Sequence, residues 1–454
     1  MTRYLPTRFP REYKDLYYDD FKSAKRWLYD GRKYITGVLN DKFRLSCFIS
    51  SDIFSQTPIP ELKSNSSNTT IRLIDCICQE ANVFKNIPKP ATRKRESVIT
   101  PSYVVIAKSN NPQFRKVQSI TGYLPGFDEW LGIKLTDFNY STFSFDNTKR
   151  VRQLDLIEGY VVVYIHSELV PDYTNNIAQT EQFRIYNDPR ATVRFLGSPQ
   201  DFTFGISAFS MLESFSNFLF SASYQNNIFT HSPDGSDNAE FIYAKVLGKR
   251  KSKDKFYRGP LFTINDLSDK SIANNILKEW IINYAKIQNS VESILLHLDN
   301  NISEDMKFIS LIGALESLHR HFFEKKKDPG NEWSKIRQNI LDSIVDEAYR
   351  DIVKKRLAGP IEDSLGRRLR DIVRIGKDYG LQTFDNSDIH AMVNTRNYYA
   401  HRDENGKQKA LSGWRLIRSN LAMVKLIKLL ILKIIKIPDP DLKNIVSRSH
   451  QFKY

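Results

Sequence analysis

The sequence predicts two domains of different class: an N-terminal antiparallel β-sandwich or jelly-roll-like domain over residues 1–265 and a C-terminal all-α bundle over residues 266–454. Three observations predict it. The first part holds short runs rich in β-branched and aromatic residues, parted by Gly, Pro, Asn, Asp and Ser clusters. From DLSDKS, residues 266–271, apolar residues recur at helical spacing instead. Finally, 454 residues are more than one hydrophobic core organises.

In order, the strand runs are RKYITGVLN, FRLSCFIS, TIRLIDCIC, SYVVIAK, GYVVVYIHSELV, EQFRIYND, ATVRFLG and EFIYAKVLG. Several alternate in polarity, as strands do with one face on a core. ISAFSMLESFSNFLFSAS has apolar residues at helical spacing and predicts a helix after the sheet. SNSSNTT, residues 64–70, reads as a loop, and GKRKSKDKFYRG as a basic loop between strands, open either to an acidic partner or simply to water.

The helical part begins with SIANNILKEWIINYAKIQNSVESILLHLD, one long amphipathic run. SEDMKFISLIGALESLHRHFFEKKK opens on a Ser N-cap and ends in basic residues that suit the negative end of the helix dipole. WSKIRQNILDSIVDEAYRDIVKKRL, IEDSLGRRLRDIVRIGK and SDIHAMVNTRNYYAH follow. LAMVKLIKLLILKIIKIP closes the set of six helices, joined by short loops into a bundle. Its Lys425, Lys428, Lys433 and Lys436 fall within an arc of about 140°, which predicts a mostly buried helix with one wet stripe rather than a membrane span.

Hydrophobic residues make up 41% of the chain, enough to bury a core and exclude wholesale disorder. The net charge of +15 favours an anionic partner, with nucleic acid first, although a solvated basic surface has the same composition. From residue 271 on, 31 Lys and Arg face 23 Asp and Glu, an excess of 8 against 7 in the first 270 residues, so no single basic tail carries it. Cys76 and Cys78 share a strand face, but no second Cys or His pair completes a zinc site. Reduced cysteines and an N-terminus without an apolar stretch predict a cytoplasmic protein. Phosphate-cradling glycine loops, HExxH and GxSxG are absent, so no cofactor or metal is predicted.

The remaining chemistry lies in RNYYAH, Arg396 to His401. Of the eight histidines, only His401 has an arginine five, six or seven residues before it. Asn397 shares its helical face, being four residues earlier. Arg396 and His401 sit about 140° apart on an ideal helix, so a helix ending near His401, with Gly406 of DENG in the turn, would let them converge. Metal-free RNA cleavage needs a base for the 2′-hydroxyl, an acid for the leaving 5′-oxygen and a fixed cation for the phosphate. Histidine titrates in the range for the first two, and arginine is a permanent phosphate ligand. One histidine cannot serve as acid and base in one step, so a second copy in a two-fold dimer completes the set. The other reading of the same residues is structural, with Arg396 pairing an acidic neighbour and His401 capping its helix.

RNYYAH, with Asn397 in the polar slot, resembles the signature of the HEPN superfamily of α-helical ribonucleases: an Arg, a polar residue, and a His a few positions on. MKFISLIGALESLHRHFF is similar to the helix carrying ALESLHR in the ApeA-like branch, which follows a β-rich domain in bacterial anti-phage proteins. ILKEWIINYAKIQNSVESIL and the strand-rich half resemble the same architecture. The resemblance implies a dimeric helical domain that cuts RNA without a metal, leaving a 2′,3′-cyclic phosphate and a 5′-hydroxyl. By it, Arg396 stabilises the phosphate, His401 is acid or base, and Asn397 orients substrate or His401.

The same resemblance places Glu316 as a fourth member, and an ion pair with its i+4 neighbour Arg320 is the structural alternative. His390 could line the cleft, and Tyr398 and Tyr399 could stack on a splayed base, or all three could pack. His319 and His321 carry no signature. The expectation is an endoribonuclease of anti-phage defence. It would cut host RNA such as tRNA, act as a homodimer and be restrained by the N-terminal domain, with a phage protein as trigger. Two alternatives stay open: a non-catalytic RNA-binding dimer whose β domain recognises a protein or glycan, and a toxin-like subunit silenced by a separate antitoxin.

Overall fold

A computed structural model describes residues 25–29, 33–39, 45–50, 59–65, 70–80, 94–107, 115–132, 138–139, 144–145, 151–157, 161–174, 182–222, 228–232, 240–244, 259–324, 332–357, 363–401 and 404–453, for some of them as backbone alone. The N-terminal region is antiparallel β and the C-terminal region is helical, as the sequence predicts. The chain forms two compact units. One comprises Met1–Asp128, Ile133–Glu213 and Ser223–Asp254; the other comprises Glu129–Gly132, Ser214–Ala222 and Lys255–Tyr454.

Thirteen strands share one sheet. They are β1 Lys25–Tyr29, β2 Lys33–Leu39, β3 Leu45–Ser50, β4 Ile59–Asn65, β5 Thr70–Glu80, β6 Lys94–Thr100, β7 Tyr103–Ala107, β8 Ser119–Tyr123, β9 Val151–Ile157, β10 Val161–Thr174, β11 Gln182–Phe195, β12 Ile228–Ser232 and β13 Glu240–Ala244. The order is β9-β10-β11-β8-β12-β13-β7-β5-β4-β1-β2-β3-β6, and β6 also pairs with β5. That last pairing closes β1 to β6 into a ring. β5 makes it possible by changing partner along its length. Its first half, Thr70–Ile74, pairs with β7 and its second, Ile77–Glu80, with β6. Asp75 takes a left-handed φ of 51° at the change, and its carbonyl accepts the Ser102 hydroxyl at 3.0 Å. Cys76, on the same strand, carries a reduced, buried thiol, while the Cys78 side chain lies outside the described residues.

Pro189 sits inside β11, which therefore joins EQFRIYND and ATVRFLG into one strand. Proline cannot donate to a ladder, and the structure places it where this does no harm. β11 pairs with β8 only over Arg190–Arg194, so Pro189 lies just beyond its second partner. Pro171 of β10 likewise lies past the stretch, Val161–His166, that pairs with β9. Ala191, Val193 and Phe195 of β11 are buried in alternation. Helix α2 (Phe202–Phe220, after the short α1, Phe127–Trp130) starts against this side of the sheet. Phe202 meets Tyr103 edge-on at 5.2 Å, and a methyl group at Gly205 would stand 3.3 Å from Ile120 Cδ1. The SNSSNTT residues 66–69 and the basic loop 248–258 lie outside the described residues.

The helices of the second unit are α3 Ala273–His297, α4 Glu304–Leu318, α5 Glu332–Asp342, α6 Glu347–Arg356, α7 Leu365–Asp378, α8 Asn386–His401, α9 Glu404–Lys407, α10 Gly413–Ile434, α11 Asp439–Arg448 and α12 His450–Lys453. Trp280 of α3 is fully buried beside Phe215 at 5.0 Å and Phe218 at 5.5 Å, and Phe215 in turn meets Trp130 at 5.1 Å. Truncating such a core aromatic costs about 3–5 kcal/mol.

The six-helix expectation undercounts. The run at 333–357 breaks into α5 and α6 because Asp346 caps a new helix, accepting from Ala348 N at 2.8 Å and Tyr349 N at 3.1 Å. The lysine-striped helix also differs from its expectation. Lys428 is buried, donating to Ser221 Oγ at 2.7 Å and Gln451 Oε1 at 2.8 Å, because α12 closes over that turn of α10. Gln451 Nε2 donates onward to the carbonyls of Leu219 and Gly259 at 2.8 and 3.1 Å, so one buried ammonium organises three chain segments. Lys436 lies beyond the helix at φ 61° and pairs with Glu279 at 2.5 Å. No helix among the described residues is long and apolar enough to cross a membrane.

Candidate active site

α8 carries RNYYAH. Its start is fixed by Asp385, whose Oδ1 accepts from Asp388 N and Ser387 Oγ, both at 2.8 Å. These donors hold the Asp385 carboxyl below its ordinary range. Ile389, Met392 and Thr395 recur every three residues and are buried. Thr395 Oγ1 donates to Ala391 O at 2.6 Å and accepts from Leu411 N at 2.7 Å, which ties the segment before α10 to the turn next to Arg396.

α7 packs antiparallel to α8. A methyl group at Gly366 would lie 3.8 Å from Val393 Cγ2, and one at Gly376 only 2.9 Å from Thr383 Cγ2 and 2.6 Å from Leu426 Cδ2. A larger residue at Gly376 would have to displace the Leu426 and Thr383 side chains. α7 then ends on Gly380, left-handed at φ 80°, with Leu381 N returning to Gly376 O at 3.0 Å. Val393 therefore marks the side of α8 that faces α7. Around the helix from it, Arg396 lies about 60° one way, and Asn397, His390 and the His401 position about 40°, 60° and 80° the other way. Helical backbone persists through His401, so the two positions stay about 140° apart around the axis of α8. The side chain of His401 lies outside the described residues.

Arg396 is half-buried, and among the described residues no carboxylate engages its guanidinium. Asn397 and His390 are exposed. Tyr398 and Tyr399 are half-buried, their rings 5.1 Å apart and inclined at 56°. Gly406 does not form the expected turn. It lies within α9, where a side chain would stand in ordinary contact, 3.5 Å from Tyr398 Cβ.

Glu316 is on α4 and points into a charge cluster. Its Oε1 accepts from Arg368 Nη1 at 2.9 Å and from Arg320 Nη2 at 3.3 Å. The Arg368 side chain is 3% exposed and also reaches Glu324 Oε1 at 3.5 Å. Residues His319–Phe323 form a π turn that ends α4. Buried His319 sits there with Nε2 3.5 Å from Asp371 Oδ2, and His321 is exposed. Arg368 is a residue that sequence reasoning passed over, because nothing in GRRLRD separates a buried arginine from its exposed neighbours. The one Asp-x-Asp spacing here, Asp439 to Asp441, is committed to structure: Asp439 pairs with Tyr379 at 2.5 Å and Lys433 at 3.2 Å, and Asp441 accepts from Ser268 Oγ at 3.0 Å.

An antiparallel β region is thus followed by a helical region in which Arg396, Asn397 and His401 fall in the last turns of α8. The family described as ApeA N-terminal domain 1 matches residues 27–280, and that described as Apea-like HEPN matches residues 309–440. The chain belongs to the ApeA-like HEPN anti-phage family. No curated protein and no solved structure matches it.

Proposed function

We propose that this anti-phage protein is an endoribonuclease that cuts RNA without a metal ion. The observation that carries the reading is Arg396: a half-buried guanidinium without a carboxylate among the described residues, five positions before the histidine that ends α8. A buried arginine is ordinarily paired, as Arg368 is, and an uncommitted one suits an incoming phosphate. In the reaction a base removes the 2′-hydroxyl proton, the 2′-oxygen bonds to the adjacent phosphorus, and the bond from phosphorus to the 5′-oxygen breaks. An acid protonates that oxygen, so a 2′,3′-cyclic phosphate and a 5′-hydroxyl result. His401 supplies one proton transfer, Arg396 balances the phosphate charge and Asn397 orients the group beside it. The second transfer comes from His401 of another copy, so the working form is a homodimer.

The substrate is host RNA, tRNA being a structured candidate, and the protein acts in the cytoplasm. The β-rich region restrains the nuclease until a phage protein is sensed. Removing residues 1–265 is not a clean test of that restraint, because Trp130, Phe215 and Phe218 pack with Trp280 and their loss would unfold the helical unit itself.

The deciding experiment incubates purified full-length protein with bulk tRNA and a single-stranded RNA in EDTA, alongside His401→Ala and Arg396→Ala. Cleavage by the parent alone, with cyclic-phosphate ends, is expected. Cleavage by both variants, or by none of the three even with phage lysate added, overturns the reading.

A further inference from the structure

The geometry points to the seam between α7 and α8 as a track for the RNA phosphate backbone, with Arg370 and Lys377 as its cations. The inference rests on the RNA reading above and adds where the strand runs and which residues hold it.

α7 exposes four cations: Arg367, Arg370, Arg374 and Lys377. They are not equivalent. Gly366 is the α7 position that abuts Val393 of α8, and Arg370 and Lys377 fall within about 40° and 20° of it around the helix. A methyl at Gly366 would also lie 3.9 Å from Arg370 Nη1, which sets that guanidinium at the seam. The acids of α7 lie farther round the same exposed arc, Asp371 and Asp378 about 140° and 120° from Gly366. Arg374 and Arg367 turn toward acids, Arg374 with Asp371 and Arg367 with Asp363, each at 3.3 Å. Among the described residues no carboxylate engages Arg370 or Lys377, so the two cations nearest the seam are the two left over. On the α8 side, Arg396 and Asn397 flank Val393 and bring the same sort of group: a guanidinium that no carboxylate among the described residues engages, and an exposed amide.

Antiparallel packing fixes the order along the seam. With Gly366 beside Val393 and Gly376 beside Thr383, Arg370 stands level with the His390 turn and Lys377 with the segment just before α8. Arg396 is at the opposite end. The track from Arg396 to Lys377 is about 20 Å long at 1.5 Å per residue, room for several successive phosphates. An exposed helix face with scattered charges is ordinarily a solvated one. What separates this face is the sorting among the described residues: cations without a carboxylate toward the motif helix, paired ones away from it. Phosphate contacts of this kind fix position and register without reading bases.

The test uses the full-length chain silenced by His401→Ala and fluorescently labelled bulk tRNA as probe, with binding followed by anisotropy across a salt series. Into it go Arg370→Ser with Lys377→Ser, and as a charge-matched control Lys354→Ser with Lys355→Ser on exposed α6. The seam pair is expected to weaken binding and to flatten the slope of log affinity against log salt by about 1.4 to 1.8, at about 0.7 to 0.9 for each phosphate no longer neutralised. The α6 pair should leave the slope alone. A parent that binds, with both pairs behaving alike or the seam pair unchanged, overturns the track while leaving the nuclease reading standing. A parent that binds no RNA at any salt takes both down.

Discussion

Glu316 on α4 holds the guanidinium of Arg368 on α7 at 2.9 Å, and that arginine is almost wholly buried. The pair joins two helices 52 positions apart in sequence. Removing one partner of such a pair leaves a charge buried without its match, which costs about 3–5 kcal/mol, toward the lower end here because Glu324 still reaches Arg368. Glu316→Ala should therefore lower the denaturant midpoint sharply. A Glu316 that acts in catalysis would show the reverse, lost cleavage at unchanged stability, and the two measurements together decide.

Arg396→Lys separates charge from shape. Lysine keeps the cation but not the planar fork that can meet two phosphate oxygens at once. Because no carboxylate engages Arg396 among the described residues, the variant should melt with the parent. Its cleavage rate should fall by about 10²-fold, the scale of losing one donor to a developing anion. Equal rates in the two proteins would remove Arg396 from the chemistry.

Thr395→Val keeps the shape and deletes one oxygen. Leu411 N then has no acceptor in a buried position, at a cost of about 1–3 kcal/mol. The Leu411 amide should exchange with solvent faster while amides in α3 keep their protection. Unchanged exchange at Leu411 would mean the bond does not hold the segment.

His297 predicts a pH dependence. Burial, and then the Lys307 ammonium with Lys428 behind it, lowers its pKa below the ordinary 6.5, against an opposing pull from Glu304. A base whose folded pKa is depressed binds more protons when unfolded, so its contribution is whole above pH 6.5 and is lost as pH falls through the folded value. Unfolding midpoints taken from pH 7.5 downward should drop below 6.5 in the parent. His297→Gln should flatten that drop, and an equal drop in both proteins would assign it to other groups.

What the sequence disclosed follows from how local each feature is. RNYYAH at the end of a helix was legible because apolar spacing and a chemical signature both lie within sixteen residues. Strands such as VVVYIHSELV were legible from their β-branched runs. KRWLY, IPELKSN, KRESVIT and VRQLDLI were not, since their charges, and Pro60, break the β-branched pattern that marks a strand. The closing β5–β6 pairing also could not be read, because no single segment encodes a partner. Among site residues, Glu316 had a visible neighbour in Arg320 but not its stronger one, Arg368. Lys428 shows the same limit: its angular position fits a lysine stripe, and only Gln451 and Ser221, distant in sequence, make it a buried hub.

The π turn at His319–Phe323 has a consequence of phase. A helix that takes one more residue into a turn advances everything after it by roughly 100° without disturbing what came before. α4 thus keeps Glu316 in step with its own buried face, while Glu324, past the turn, swings to the same guanidinium and accepts the Asp363 amide at 3.4 Å. The two glutamates are eight positions apart, about 80° out of line on an uninterrupted helix, yet they close on Arg368 together. One surplus residue works as a phase shifter between them, and a one-residue deletion inside the turn would leave the composition of the cluster intact while dialling one of its members out of reach.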